Sequence, residues 1–440
     1  MPVTTTSVKG FAGVDVPNDD VITNCMHCGL CLPTCPTYVL TGLERSSPRG
    51  RIRLIKSVAS GELPMSELFV EEMNFCLDCQ ACETACPAGV RYGSLVEAAR
   101  AQAFAQERES RATRLLKRFF LGTVFSSHRR LKGLATLLKV YQRSGMAWFL
   151  RRTGILAAIS PKLARLDPLT PQISDSFSSD VLPEVLSPYG ERRYRVGFLT
   201  GCIMDVAFGN VNMDTIEVLR RHGCEVIVPQ SQSCCGSLAA HYGDMTSARR
   251  MAAGAVDLFK RDGLDWIVMN SAGCGAFFKE YGHLFADDPE RASAAELVAA
   301  RTKDLTEFLA STGFRPRHAR PSGNKRPPRV TYHDACHLAH TQKVVQEPRR
   351  LVQSVPGYEY VELPEASWCC GSAGIYNIVE HEAAMQILER KVDNIASIAP
   401  DVLVTGNPGC MVQIRHGLER RGLNVRLLHT ATFLREACDP

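Results

Sequence analysis

The chain has 440 residues, 45% of them hydrophobic and 22% charged, with a formal net charge of +5. That length allows two or three domains with cores of their own, and that balance excludes a disordered or fibrous chain. No run approaches about 18 consecutive apolar residues, which excludes an ordinary membrane-spanning helix.

The opening MPVTTTSVKG lacks a basic region followed by an apolar run. We therefore expect no signal peptide and a cytoplasmic chain whose thiols stay reduced. Eighteen cysteines then point to metal binding rather than to disulfides. Eight lie between Cys25 and Cys86, none from there to Cys202, and ten from Cys202 to Cys438. This spacing predicts a thiol-rich head, a spacer and a thiol-rich body.

After a lead of residues 1–24, the head (25–100) carries CMHCGLCLPTCP and CLDCQACETACP, both C-x2-C-x2-C-x3-C-P. In that pattern three thiolates hold one 4Fe–4S cubane and the fourth reaches across to the other. The expected sets are Cys25, Cys28, Cys31 and Cys86 for one cluster, and Cys76, Cys79, Cys82 and Cys35 for the second. Zinc sites use paired C-x2-C units and do not need the third close cysteine. Gly29 is expected to let the backbone approach the inorganic sulfide. SPRGRIRLIKSV predicts a helix after a turn at Pro48. Its Arg49, Arg51 and Arg53 either offset the cluster charge or form a solvated face.

Residues 101–192 read as a basic helical spacer and linker. From Arg111 to Leu166 there are thirteen Lys or Arg and no acid, while the rest of the chain is net acidic. Leu131, Leu134, Leu138 and Tyr141 recur at helical spacing, and Phe119, Phe120, Phe125, Trp148 and Phe149 add aromatic bulk. A basic amphipathic helix suits a membrane surface or a partner subunit, or simply packs on its neighbours. No nucleic-acid-binding motif is present. The stretch from Asp167 to Pro188 reads as an irregular linker rich in Pro and Ser.

The body repeats itself. RVGFLTGC, EVIVPQSQSCCG and WIVMNSAGCG in residues 193–318 match RVTYHDAC, YVELPEASWCCG and VLVTGNPGC in residues 319–440. Three landmarks keep nearly one register, which signals duplication. Strand-like runs alternate with helix-like ones, predicting two small parallel α/β units. In each unit the cysteines follow strands, where α/β sheets build sites. The expected metal-binding sets are Cys202, Cys234, Cys235 and Cys274, and Cys336, Cys369, Cys370 and Cys410. Adjacent cysteines suit an iron–sulfur cluster better than tetrahedral zinc. Cys224 and Cys438 match nothing in the repeat and read as ordinary thiols. His333, His337 and His340 crowd Cys336, as structural groups, as donors to a cluster sulfur or as proton carriers.

Together these residues resemble the iron–sulfur subunit of bacterial glycolate oxidase. NSAGCGAFFKEYG, CCGSAG and HDACHLAHTQK carry the likeness most closely. The wider family includes subunits of anaerobic glycerol-3-phosphate dehydrogenase, a lactate-utilisation iron–sulfur protein and heterodisulfide reductase subunits. The resemblance implies an α/β body of two CCG units related by a pseudo-two-fold, behind an α-helical two-cluster ferredoxin head. In heterodisulfide reductase each CCG unit ends in C-x2-C; here Ser271 and Asn407 replace the first cysteine of that pair.

Alcohol oxidation removes two electrons at once and clusters carry one, so a flavin must stand between. No G-x-G-x-x-G follows a strand, so we expect no FAD or NAD in this chain and no catalytic residue. The resemblance implies two FAD-binding flavoprotein partners that oxidise glycolate to glyoxylate, a quinone acceptor and peripheral contact with the inner face of the cell membrane. Alternatives are the same role in D-lactate or glycerol-3-phosphate oxidation, a thiol–disulfide reductase, or a scaffold braced by its body cysteines.

Overall fold

The computed structural model describes residues 10–316 and 326–438; most of the opening MPVTTTSVKG and the boundary at 318/319 lie outside them. The head is helical: Asp19–Thr23, Pro36–Thr41, Pro48–Ala59, Glu67–Asn74, Ala81–Thr84 and Tyr92–Ala105. Proline after Cys35 and after Ser47 opens a helix, where its missing N–H costs nothing. Ile52, Ile55, Phe69, Met73, Leu95 and Val96 form the core of the head. The amide of Gln102 donates to the carbonyls of Ala12 (3.0 Å) and Val14 (2.8 Å), fastening the lead to the last helix. That helix runs to Ala105, a few residues past the expected edge of the head.

The spacer is several short helices rather than one. Arg111–Lys117 runs into a π-helical turn at Arg118–Val124, followed by His128–Arg143, Met146–Thr153, Ile155–Ile159 and Pro161–Leu166. Gly145 and Gly154, both left-handed, break the series. The side packed on the body carries Leu121, Val124, Leu131 and Ala135, with Phe125 and Leu138 partly covered. Leu134, expected on that face, is exposed.

The described residues of the body hold nine strands: β1 (Val185–Leu186), β2 (Tyr194–Phe198), β3 (Cys224–Ile227), β4 (Trp266–Met269), β5 (Thr302–Asp304), β6 (Arg329–Tyr332), β7 (Glu359–Tyr360), β8 (Val402–Thr405) and β9 (Arg426–His429). They form sheets of order β1-β3-β2-β4-β5 and β7-β6-β8-β9. All pairs are parallel except β1 with β3. Without β1 the two orders coincide, so the duplication is visible in topology as well as in cysteine register. β1 is an antiparallel edge added from the expected linker, so the first unit's sheet begins before residue 193.

Residues of both sheets, among them Val196, Val268, Val330 and Val404, share one core. The contacts between the units are reciprocal. Helix Gly209–Arg221 of the first packs on Thr430–Glu436 of the second, while Gln346–Gln353 of the second packs on Leu305–Ser311 of the first. By strand topology these are the same pair of helices exchanged, the one after β2 or β6 and the one after β5 or β9, as an isologous contact requires.

Candidate metal centres

In the head, Cys76, Cys79 and Cys82 are buried together, and Cys35 lies among the thiols acting on Cys79 and Cys82. Cys25, Cys31 and Cys86 each pack against the margin of the head core, Cys25 lies among the thiols acting on Cys31, and Cys28 is exposed. Arg51 is wholly buried beside this group. It donates from Nε to the Glu72 carbonyl (2.7 Å) and from Nη1 to the Ser46 carbonyl (2.8 Å), with Cys76 and Cys35 among the charges acting on it. The other two arginines differ. Arg49 is paired with Glu44 and donates to the His27 carbonyl (3.1 Å), and Arg53 is a solvated partner of Glu62. Gly29 has φ +86°, and a Cβ there would lie 2.6 Å from Arg49 Nη1. The glycine thus accommodates a guanidinium.

In each unit the cysteines come from the ends of three strands. Cys202 follows β2, Cys234 and Cys235 lie in the loop after β3, and Cys274 is in the first turn of helix Ala272–Lys279 after β4. Cys336, Cys369, Cys370 and Cys410 repeat this after β6, β7 and β8, with Cys410 in the first turn of Pro408–Arg420. The thiols touch in series. Cys202 meets Cys234, and Cys235 meets Cys234 and Cys274; Cys336 meets Cys369, and Cys370 meets Cys369 and Cys410.

The glycine of each doublet has a physical reason. Gly236 (φ +97°) and Gly371 (φ +88°) are left-handed, and an added Cβ would lie 2.8 Å from the Ala248 carbonyl oxygen and 2.5 Å from that of Ala384. Their N–H groups point at the first sulfur of each doublet, at 3.5 Å for Cys234 and 3.4 Å for Cys369. Ser271 and Asn407 are both helix N-cap residues, a position that favours Ser and Asn. Asn407 Nδ2 lies 3.5 Å from Cys410 Sγ.

Buried thiols resist ionisation. In the first unit the hydrogen bonds from Cys202 and Cys235 hold Cys234 well below the usual thiol range, while its neighbours are pushed up. In the second the hydrogen bond to Cys369, and then burial, push Cys336 up. Four converging cysteines, three of them buried in each unit, could ionise together only with a cationic group among them, so the donor chemistry fits a metal cluster.

The second site has further charge partners. Lys391 is fully buried, its ammonium donating to the Ala366 carbonyl (3.1 Å); burial lowers its pKa to about 8, against the pull of Cys370. His333 Nδ1 or Nε2 lies within 4.8 Å of Cys370 Sγ and Cys410 Sγ. Burial and then the Lys391 charge keep that ring neutral. The first site is approached instead by the spacer. His128, half-buried at the head of helix His128–Arg143, has Cys234 among its neighbours and sits 3.9 Å from Asp205.

The head docks on both units but brings its thiols to one. Leu77 and Cys79 share a buried cluster with Trp368, Cys369 and Tyr376, and Cys336 packs against it. Burial pushes the Cys79 thiol up, and the strongest neighbouring charge on it is Cys336. Around this contact His337 Nε2 donates to the Asp78 carbonyl (3.0 Å), Thr341 to Gln80 Oε1 (2.8 Å), and His340 pairs with Thr84 (3.0 Å). On the first unit's side His241 Nδ1 lies 3.1 Å from Asp78 and 2.7 Å from Glu97. Burial opposes its charge, but these two carboxylates raise its pKa to about 10. His241 and His337 line a cavity of about 690 Å³ where head and body meet. Sequence reasoning missed His241 and Asp78, since nothing local marks residues that meet only in three dimensions.

A ferredoxin-like head beside two duplicated cysteine-rich units defines an iron–sulfur protein of electron transfer. The domain families agree: residues 21–90 match the 4Fe-4S dicluster domain, 112–170 the linker region of the glycolate oxidase iron-sulfur subunit, and 196–279 and 330–415 the cysteine-rich CCG domain. A Bacillus subtilis protein named "Probable glycolate oxidase iron-sulfur subunit" is 38% identical over 94% of this chain and 93% of its own. The Escherichia coli glycolate oxidase iron-sulfur subunit is 29% identical over 90% of each chain. Lactate utilization protein A of Geobacillus thermodenitrificans is 32% identical over 54% of this chain and 98% of its own. The chain belongs to the family of glycolate oxidase iron–sulfur subunits.

Proposed function

We propose that this chain is the electron-transfer subunit of a flavin-dependent glycolate oxidase, carrying electrons from two FAD-binding flavoprotein subunits to a membrane quinone. The observation that supports this most is the burial of Cys79 against Cys336 and Cys369, which joins the head's thiols to the body's. Bound iron–sulfur clusters supply one-electron carriage.

The residues do the rest. Cys25, Cys28, Cys31 and Cys86 hold one cubane, and Cys76, Cys79, Cys82 and Cys35 the other. Cys202, Cys234, Cys235 and Cys274, and Cys336, Cys369, Cys370 and Cys410, hold a centre in each CCG unit. Arg51 and Lys391 offset thiolate charge from fully buried positions. Leu77, Trp368 and Tyr376 exclude water from the junction.

The spacer supports a place at the membrane surface. No helix among the described residues is long and apolar enough to cross a membrane. Yet Leu137 (70% exposed), Trp148 (65%) and Ile159 (74%) stand on the outer side of a stretch bearing thirteen basic residues and no acid. Apolar groups among arginines and lysines suit an anionic lipid surface. The bound chain lies on the bilayer.

The test is anaerobic reduction. Glycolate added to the chain with its co-purifying partners should bleach the cluster absorbance, and the chain alone should not respond. Faster reduction by D-lactate or glycerol 3-phosphate would move the substrate to the lactate or glycerol-phosphate alternative. Co-purification without any flavoprotein would sink the reading.

A further inference from the structure

The two CCG sites share four matched cysteines, but only the second places an imidazole among them. His333 follows β6 and is 1% exposed. Its backbone N–H is spent on the Val404 carbonyl (2.9 Å). Neither ring nitrogen has a hydrogen-bond partner of ordinary geometry, although the Ala366 carbonyl lies near the ring. A buried imidazole without partners is costly and calls for an explanation. A ring nitrogen of His333 and the sulfurs of Cys370 and Cys410 all lie within 4.8 Å of one another.

The fold does not require histidine here. By the repeat register the same position in the first unit is Leu199, buried in an apolar core after β2. The other two histidines of this segment are occupied elsewhere, His337 on the Asp78 carbonyl and His340 on Thr84. His333 alone of the three faces the thiols.

We propose that His333 is a ligand of the iron–sulfur centre in the second CCG unit, so that this centre is bound by thiolates and one imidazole, and the first unit's centre by thiolates without it. The proposal rests on the reading of the CCG units as iron–sulfur sites. Imidazole is a known substitute for thiolate on cluster iron; being neutral, it raises the reduction potential. The second centre, next to Cys79, is then the better electron acceptor of the two.

The test uses the full chain, purified anaerobically with its clusters and labelled with nitrogen-15 in histidine. Pulsed electron paramagnetic resonance should show a strongly coupled histidine nitrogen on one centre beyond the two cubanes. H333L should lose that coupling. H333C, which restores a metal-binding side chain, should keep the iron and lower that centre's midpoint potential. If the labelled wild-type chain binds more iron than about eight, two cubanes' worth, but shows no coupled histidine nitrogen, the His333 assignment fails and the reading of the units stands. A coupling that persists in H333L overturns the assignment in the same way and moves attention to His128. Iron of about eight or fewer, or zinc at Cys370 and Cys410, overturns both.

Discussion

The two CCG units have one fold and different company. Strand order, cysteine register and the left-handed glycine after each doublet are common to both. The first is covered by the spacer, whose Leu131 joins its core and whose His128 approaches Cys234. The second is covered by the head, whose Cys79 lies against Cys336 and Cys369. It also has Lys391 and His333, where the first has apolar Ala255 and Leu199 at the matching register. Duplication supplied two equivalent sites, and the surfaces packed on them set one against the thiols of the head and the other against the basic spacer.

The strongest way to break this comparison is to remove one doublet at a time. Cys369→Ser with Cys370→Ser should leave both head cubanes reducible by the flavoprotein partners, but abolish reduction of the first unit and of quinone. Cys234→Ser with Cys235→Ser should also abolish quinone reduction, yet leave the second unit reducible. Rapid-freeze spectroscopy with iron analysis reads both. A normally reduced first unit in the Cys369/Cys370 variant would show that electrons do not enter through the second.

A smaller effect is expected at the spacer. Changing Arg129, Arg130 and Arg152 to Glu should weaken binding to anionic vesicles by at least about 3 kcal/mol, or roughly a hundredfold, at about 1 kcal/mol per basic residue. Lys132 is left alone because it is paired with Asp180. Added salt should imitate the change by screening. Reversal of exposed Arg53 in the head should do nothing to vesicle sedimentation; if it releases the protein equally, the membrane lies on the head's side.

The smallest effect tests the head's hold on the first unit. His241 is raised from 6.5 to about 10, so its stabilising contribution is whole below pH 6.5 and is lost as pH rises towards 10. The groups around it are Asp78, Glu97, Arg100 and His337. H241Q should cost about 2 kcal/mol at pH 6 and flatten the fall in thermal stability between pH 6.5 and 10. An unchanged slope would place that fall in another group.

Much of this was legible in the sequence because metal sites are written in local spacing. The head's cysteine runs, the doublets, the constant register and the strand before each cysteine are short-range patterns, and each unit's thiols do meet. The spacer was less legible. Its apolar residues lie on more than one face, and periodicity alone cannot say which the body covers; Ala135 is buried and Leu134 is not. The three histidines near Cys336 look alike in sequence, and only the turn after β6 separates His333, facing sulfur, from His337 and His340, facing the head.

The sequence by itself determined the ligand-type residues, the duplication and the α/β pattern, because each follows from residue type and nearest neighbours along the chain. Tertiary structure alone decided that Cys79 meets Cys336, that His241 meets Asp78, and that the spacer leans on the first unit. Those pairs are far apart in the chain, and what joins them is the burial of surfaces that no local pattern encodes.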